Sequence, residues 1–506
     1  MNVGNEKTQS LWMDTEAVAA PRYSGKLKVD VAVIGSGIAG LSIAFELIER
    51  GLSVAVIDRG KIARGMTART TAHLAPVCDD GATEIIKIRG EEMARLSWES
   101  QATGVDRIET IVSGLNIACN FRRLDAYMFP GPETKQADLD EELKAQKKCG
   151  VGVEKVHGVP GLVQQKNVGV LRFRNQASFH PARYLRAIAE QFAARGGKLF
   201  AHTIITAIEE KSGAVTVRTA GGDTIESSSC VVATNSPIND RLALHSKMAP
   251  YRTYAMAFTT PKDALPDALY WDTMDPYHYV RQETGPGSVN YLIAGGADHK
   301  SGEADDAFAR YDALEAWTRH NFPDVGKETH RWSGQVLDTI DYSAFSGLNP
   351  GNEHVYVHTG DSGQGMTHGA MAGLLIPDLI TTGKSKWKNV YDPNRKPLRA
   401  ITNYARENMT AIKNFAEYVA PGELSSYEEL ERGHGAIVRE GLRKVAAYRD
   451  TNGKLHKCSA VCTHIGCHVH WNSLERCWDC PCHGSQFDID GTALNGPAIS
   501  PLERID

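Results

Sequence analysis

What this 506-residue chain lacks narrows it first. No stretch offers the roughly twenty apolar, uncharged residues of a membrane-spanning helix. The most apolar run, Val29 to Ile48, contains Gly35, Ser36, Gly37, Gly40, Ser42 and Glu46, and reads as strand, turn and helix. Basic charge is not in excess: 56 Lys and Arg face 61 Asp and Glu, a formal net charge of −5. Nothing in that balance draws nucleic acid or an anionic membrane. The opening residues, MNVGNEKTQSLWMDTEAV, lack both a basic segment leading into an apolar core and a twin-arginine pair, so a cytoplasmic location is expected. Internal repeats and low-complexity tracts are absent. Cysteine is sparse over most of the chain. Cys78, Cys119, Cys149 and Cys230 are scattered over the first 457 residues and read as small buried hydrophobes. The other six fall between Cys458 and Cys482, interleaved with histidines, a density that points to metal ligands or local cross-links.

The length demands more than one core. Residues 1–27 read as a loosely held arm, and Lys28 opens a buried strand. Gly383 to Leu398 is polar and basic, with Pro393 and Pro397, and reads as the exit from a large α/β unit. A helix is expected from Ile401 to Tyr418, and Pro421-Gly422 breaks the chain after it. Beyond that point strands are short, and Asn452-Gly453 and Asp490-Gly491 carry hairpin-turn chemistry, because glycine tolerates positive φ. The expected division is an arm at 1–27, an α/β unit at 28–384, a linker at 385–424 and a small all-β domain at 425–506.

The strand Val29–Ile34 runs into Gly35-Ser36-Gly37-Ile38-Ala39-Gly40 and then a helix, Leu41 to Arg50, stopped by Gly51. A second apolar strand, Ser53 to Ile57, ends at Asp58-Arg59. This is GxGxxG in the context that gives it meaning. Gly35 makes the turn, Gly37 lets the backbone approach a pyrophosphate, and Gly40 lets helix and strand pack closely. The helix N-terminus offers amides to the phosphates. Asp58, 18 residues after Gly40, stands where an acid accepts ribose hydroxyls. The fingerprint alone does not separate FAD from NAD.

Three later segments carry a resemblance. Gly65-Met66-Thr67-Ala68-Arg69-Thr70-Thr71-Ala72-His73-Leu74 resembles the loop that approaches the flavin in the D-amino-acid oxidase-like (DAO) family of FAD oxidoreductases. Cys230-Val231-Val232-Ala233-Thr234-Asn235 resembles that family's strand near the adenosine. Thr359-Gly360-Asp361-Ser362-Gly363-Gln364-Gly365-Met366-Thr367 resembles its C-terminal flavin motif. The resemblance spans roughly residues 28–380. It implies bound FAD, a discontinuous flavin domain (about 28–80, 170–240 and 335–384) and an antiparallel sheet over the flavin from the segments between. YRTYAMAF, YHYVRQE and YLIAGGA read as strands of that sheet. Tyr254, Tyr277 and Tyr279 are then either packed sheet aromatics or substrate contacts. His278 and Arg281 alternate on one strand, so one of them is expected to face the flavin. Some relatives attach the flavin to a His or Cys in the first loop; here Arg69 stands near that place and His73 is offset by four, which favours non-covalent FAD.

The cysteine-rich segment reads Cys462-Thr463-His464-Ile465-Gly466-Cys467 and, after twelve residues, Cys480-Pro481-Cys482-His483-Gly484-Ser485. Two Cys–His pairs on facing loops suit a [2Fe–2S] centre with two thiolates on one iron and two imidazoles on the other. Zinc would also accept two Cys and two His. The flanking Thr-His-x-Gly-Cys, Pro-Cys-His-Gly-Ser and Gly496-Pro497-Ala498 resemble the Rieske family instead. The resemblance implies ligation by Cys462, His464, Cys480 and His483, and a potential in the range of roughly −150 to +300 mV. In some Rieske proteins the residues matching Cys467 and Cys482 form a disulfide, although disulfides are unusual in the cytosol. Ser485 is placed to donate a hydrogen bond to a bridging sulfide, and Phe487 stands where high-potential members carry Tyr. Cys458 and Cys477 have no counterpart and read as buried thiols.

A chain holding FAD and a one-electron cluster can turn a two-electron oxidation into two single-electron exits. No second strand–GxGxxG–helix unit exists; Cys149-Gly150-Val151-Gly152 and Gly295-Gly296-Ala297 do not fit, which argues against NAD(P)H as donor. The expected function is oxidation of a small amine or amino acid at a C–N bond, with Arg252 or Arg281 available to a substrate carboxylate and electrons leaving to a partner acceptor. The alternatives are an electron-transfer component serving a partner enzyme and an O2-using oxidase with an accessory Rieske domain. The whole chain, through Tyr277-His278-Tyr279, Tyr391-Asp392-Pro393 and Trp471-Asn472, resembles bacterial DAO-type oxidoreductases fused to a Rieske domain.

Overall fold

A computed structural model describes residues 7–77, 79–162, 168–239, 244–322, 324–418 and 420–505; Cys78 lies outside them. The strand Lys26–Ile34 is the centre of the first sheet. It pairs in parallel with Val54–Ile57 on one side and Thr224–Val232 on the other. Val355–Thr359 and Lys198–Phe200 extend the parallel set outward. Residues 31–34 and the strand Val54–Ile57 are buried on both faces, which is why they are runs of Val, Ile and Ala with no alternation, whereas the starts of Lys26–Ile34 and Thr224–Val232 are partly exposed and more polar. The helices Ile38–Glu49 and Gly365–Thr382 cover one face. They approach closely because Gly369 and Gly373 are seated against Ile38, Ala39 and Ser42, where a side chain would not fit.

Among the described residues the second sheet has nine strands. Met248–Pro261 pairs antiparallel with both Val289–Lys300 and Glu328–Thr339, and Tyr279–Thr284 continues the set. Strands Gly169–Ser178 and Glu328–Thr339 belong to this sheet, so the stretch after residue 170 first builds the flavin cover and only later rejoins the parallel sheet.

The C-terminal unit holds a three-stranded sheet (Gly435–Glu440, Arg443–Arg449, Leu455–Ser459) and a four-stranded one (His470–Asn472, Cys477–Asp479, Gln486–Phe487, Ala493–Asn495), all antiparallel. Gly453 and Gly491 turn two of the hairpins with φ of +91° and +81°. Tyr448, Trp471, Trp478 and Phe487 form its core. The linker is partly helical, Ile401–Ala416.

Over its described residues, from Lys7 on, the arm is not loose. Leu11–Asp14 forms a 3-10 turn, Trp12 is fully buried with its Nε1 donating to Thr70 O at 2.6 Å, and Ser10 Oγ donates to Ala68 O. A large aromatic and a short polar side chain bind this segment to the loop after the second strand. No helix among the described residues is long and apolar enough to cross a membrane.

Candidate functional site

The two sheets enclose a cavity of about 1320 Å3, larger than the roughly 300–1,000 Å3 of most small-molecule sites. Its inner half is built by the fingerprint. Gly35, at φ +102°, and Gly40 allow the turn: a Cβ on Gly40 would fall onto Gly35 O, and one on Gly35 onto Ala233 O. Gly35, Ser36, Gly37, Ile38 and Ala39 line the cavity, while Gly40 stays behind them in the helix–strand contact. Thr67 Oγ1 accepts from Ile38 N at 3.0 Å and so pins the flavin loop to the helix start. Asp58 lines the cavity too; its Oδ2 accepts from Ser36 N and Oγ at 2.8 and 2.7 Å and its Oδ1 from Gly60 N at 2.8 Å. The acid therefore holds the glycine loop in shape as well as facing the site.

Thr70, Thr71, His73, Thr234, Asn235, Asp361, Gly363, Gly365 and Met366 also reach the cavity wall. Asn235 Nδ2 is buried without a hydrogen-bond partner, a donor that a ligand in the cavity would satisfy. Both nitrogens of His73 are bonded within the protein, to Thr71 Oγ1 at 3.0 Å and Val280 O at 3.3 Å, and burial and the neighbouring Arg281 push its pKa down to about 3. Gly360 and Thr367 lie behind the wall; Thr367 Oγ1 donates to Gln101 Oε1 at 2.6 Å.

Several expected residues are engaged elsewhere. Arg281 is fully buried, donates to Ala72 O and Phe179 O at 2.8 and 3.0 Å, and is paired with Glu283. His278 is hydrogen-bonded to Asp272 at 2.9 Å and stacked 4.2 Å from Trp317. Tyr254 packs on Tyr311 and bonds His299 at 2.9 Å. None of the three lines the cavity. Strand alternation offered two faces, and it is Tyr277 and Tyr279 that reach the cavity wall. Arg59 donates to Ala493 O at 2.5 Å, away from the cofactor cradle. Arg69 lines the cavity with its stem, but its guanidinium meets Thr8, Ser333 O and Glu475. Arg252 meets Ser333 Oγ and, at 3.1 Å, Asp479. Neither Arg252 nor Arg281 is available to a substrate carboxylate. Sequence pattern missed the acids Asp79, Asp80, Asp298 and Asp338, which are spread over three segments, and the wall that Asn403, Arg406 and Glu407 of the linker helix supply.

The second site is compact. Cys462 and Cys480 are free and buried, with their sulfurs in hydrogen-bond contact, and the rings of His464 and His483 stand 5.0 Å apart. His483 Nδ1 is buried without a hydrogen-bond partner, and burial pushes the ring's pKa down to about 3, which favours the neutral imidazole, the form that suits a metal. Cys467 and Cys482 form a disulfide, Cα–Cα 6.6 Å, which ties the two loops and leaves Cys462 and Cys480 free. Ser485 Oγ accepts from Ala498 N at 3.0 Å and reaches Cys462. Cys458 and Cys477 are buried thiols.

The ligand loops face the flavin domain. The His245 ring lies 4.9 Å from His464 and 5.7 Å from His483. Gln335, which lines the cavity, donates from Nε2 to Gly484 O at 2.9 Å. Gly484 has φ +79°, and a Cβ there would strike Gln335 and Pro250. Two buried ion pairs, Arg69–Glu475 at 3.2 Å and Arg252–Asp479 at 3.1 Å, bolt the units together.

Residues 30–379 match the family described as DAO, FAD dependent oxidoreductase, and residues 422–506 match the Rieske [2Fe-2S] domain. The chain is 30% identical to the Rieske 2Fe-2S iron-sulfur protein YhfW of Bacillus subtilis (strain 168), over 99% of this chain and 98% of that protein. It is 24% identical to gamma-glutamylputrescine oxidoreductase of Escherichia coli (strain K12), over 74% of this chain and 89% of that one. Among solved structures, glycine oxidase from Geobacillus kaustophilus superposes with a TM-score of 0.63 at 19% identity, covering 73% of this chain and 99% of that one, a likeness of fold. The chain belongs to the DAO family of FAD-dependent oxidoreductases and carries a C-terminal Rieske domain. Its cofactors are FAD and a [2Fe–2S] cluster, for which the glycine cradle and the Cys462, Cys480, His464 and His483 set are the fitting sites.

Proposed function

We propose that this protein oxidises a small amine or amino acid at a C–N bond by hydride transfer to FAD, and that the electrons leave singly through the Rieske cluster to an acceptor outside the chain, in the cytoplasm. The observation that carries the reading is the inward docking of the cluster loops. Gln335 belongs at once to the cavity wall and, through Gly484, to the loop of His483. When bound, FAD supplies a two-electron acceptor and the cluster a one-electron carrier. The chain's own residues do the positioning. Gly37, Thr67 and Asn235 shape the cradle, and the buried Arg69–Glu475 and Arg252–Asp479 pairs hold the cluster loops at a fixed place beside the cavity. With both nitrogens of His73 bonded within the protein, FAD is held non-covalently. Two relatives are named for glycine and for gamma-glutamylputrescine, an amino acid and an amine derivative.

Anaerobic titration of the purified protein with amines and amino acids, followed by NADH and NADPH, tests the proposal. The expected result is flavin bleaching together with cluster reduction by an amine or amino acid. Reduction by a nicotinamide with no response to any amine would replace this reading with the electron-transfer component. Stoichiometric peroxide in air with the cluster left oxidised would replace it with the oxidase.

A further inference from the structure

Beyond the flavin motifs the cavity is acidic. Asp79 adjoins Gly363 and accepts from Tyr277 Oη at 2.7 Å, and Asp80, Asp298 and Asp338 line the same space. The two flexible cations at the wall, Lys300 and Arg406, are both held by Glu407, at 2.7 and 3.0 Å. Among the described residues, Asp338 makes no side-chain hydrogen bond or ion pair, and Asp298 Oδ1 is closed to solvent without a hydrogen-bond partner. Burial and mutual repulsion push these carboxyls up, Asp79 to about 6 by burial, Asp80 and Asp298 to about 7, and Asp338 well above its ordinary range. Carboxylates around one space ionise together only when a counter-charge joins them. Among the described residues neither Asp298 nor Asp338 forms an ion pair; Arg406 offsets part of the charge at Asp80 and Arg310 part of that at Asp298, while Arg252 and Arg281 are closed in ion pairs of their own. The acids do not converge on one point either; among the described residues the only group at metal-ligand spacing is the cysteine sulfurs of the Rieske loops. The rings of Tyr277 and Tyr279, 5.3 Å apart, line the cavity beside Asp79, and aromatic faces attract ammonium groups.

We propose that the cavity selects a diamine or polyamine, a substrate with at least two amino groups and no carboxylate, with the reacting nitrogen on the Asp79 side and the distal ammonium against Asp298 and Asp338. The inference rests on the C–N oxidation reading above. The neutral reacting amine gives a hydride from its carbon to FAD, leaving an iminium ion; water then adds and releases the aldehyde and ammonium. The distal ammonium takes no part in the bond changes and serves as the counter-charge.

The test uses the FAD- and cluster-loaded protein under anaerobic conditions with 1,4-diaminobutane, spermidine, n-butylamine, glycine and L-proline, reading flavin bleaching and kcat/KM with ferricyanide as acceptor. The diamine is expected to exceed n-butylamine in kcat/KM by at least tenfold, mainly through KM. Asp338→Asn and Asp298→Asn, checked for retained flavin and cluster spectra, should each shrink that preference several-fold, which a merely structural role would not do. Preference for glycine, L-proline or n-butylamine over the diamine would overturn this inference and leave C–N oxidation standing. An unchanged preference in both variants would overturn the assignment of Asp298 and Asp338. Failure of every amine and amino acid to bleach the flavin would overturn both readings.

Discussion

The two cofactor sites of this chain are assembled in opposite ways. The Rieske site is local: the two Cys–His pairs that fit the cluster and the disulfide lie within the 22 residues from Cys462 to His483, and each of the four would contribute one specific atom. The flavin site is dispersed: its walls come from the fingerprint, the loop after the second strand, Thr234 and Asn235, the strand Glu328–Thr339 and the linker helix. That site is made largely of backbone and shape. A side-chain change should therefore destroy the first site, whereas the second is destroyed by filling a space that only glycine leaves open.

The largest expected effects follow from that contrast. Cys462→Ser should abolish the cluster, seen as loss of its visible band and of its electron paramagnetic resonance signal in the reduced protein, while FAD content stays near wild type. Gly40→Ala should do the reverse, because its Cβ would land on the Gly35 carbonyl and open the fingerprint turn; FAD should be lost on gel filtration with the cluster retained. If Cys462→Ser also sheds FAD, the sites are not separable and the contrast breaks.

The next effect concerns the seam. Glu475 is fully buried and accepts from Thr8, Arg69 and Ser333, so it joins arm, flavin domain and Rieske domain at one carboxylate. Removing one partner of such a pair leaves an uncompensated charge and costs about 3–5 kcal/mol. Glu475→Ala is expected to lower the first thermal transition and separate flavin release from cluster loss in a melting scan. A single unshifted transition would mean that the two units are held by other contacts.

Legibility in the sequence follows the same division. The Rieske domain was readable because its Cys–His spacing is itself the chemistry, and the fingerprint because turn, helix and acid are contiguous. Arg69 and Glu475, 406 residues apart, have no local signature, and Trp12 is one buried aromatic in a polar arm. Arg281, His278 and Tyr254 sit on strands whose alternation gives two faces without saying which meets the cavity. Asp79, Asp80, Asp298 and Asp338 form a group only after the fold brings three segments together.

The smallest effect tests how the linker holds the local site to the dispersed one. His470 lies between Glu417 and Glu423, at 3.3 and 3.7 Å. Burial would lower its pKa, but the two carboxylates outweigh that and raise it from 6.5 to about 9. The folded state therefore binds a proton more tightly than the unfolded chain. This contribution is complete below pH 6.5 and is lost as pH rises through about 9. Amide exchange at residues 414–418, corrected for the intrinsic effect of hydroxide, should quicken a few-fold across that window while the flavin and cluster spectra hold. His470→Gln should remove the pH dependence and leave exchange at its fast limit. Were exchange flat with pH in the wild type, the end of the linker helix would be held by Asn414, whose Nδ2 donates to His468 O at 3.2 Å, and by Tyr418, whose hydroxyl donates to Gly466 O at 2.6 Å. The tie between the two sites would then be made of neutral hydrogen bonds alone.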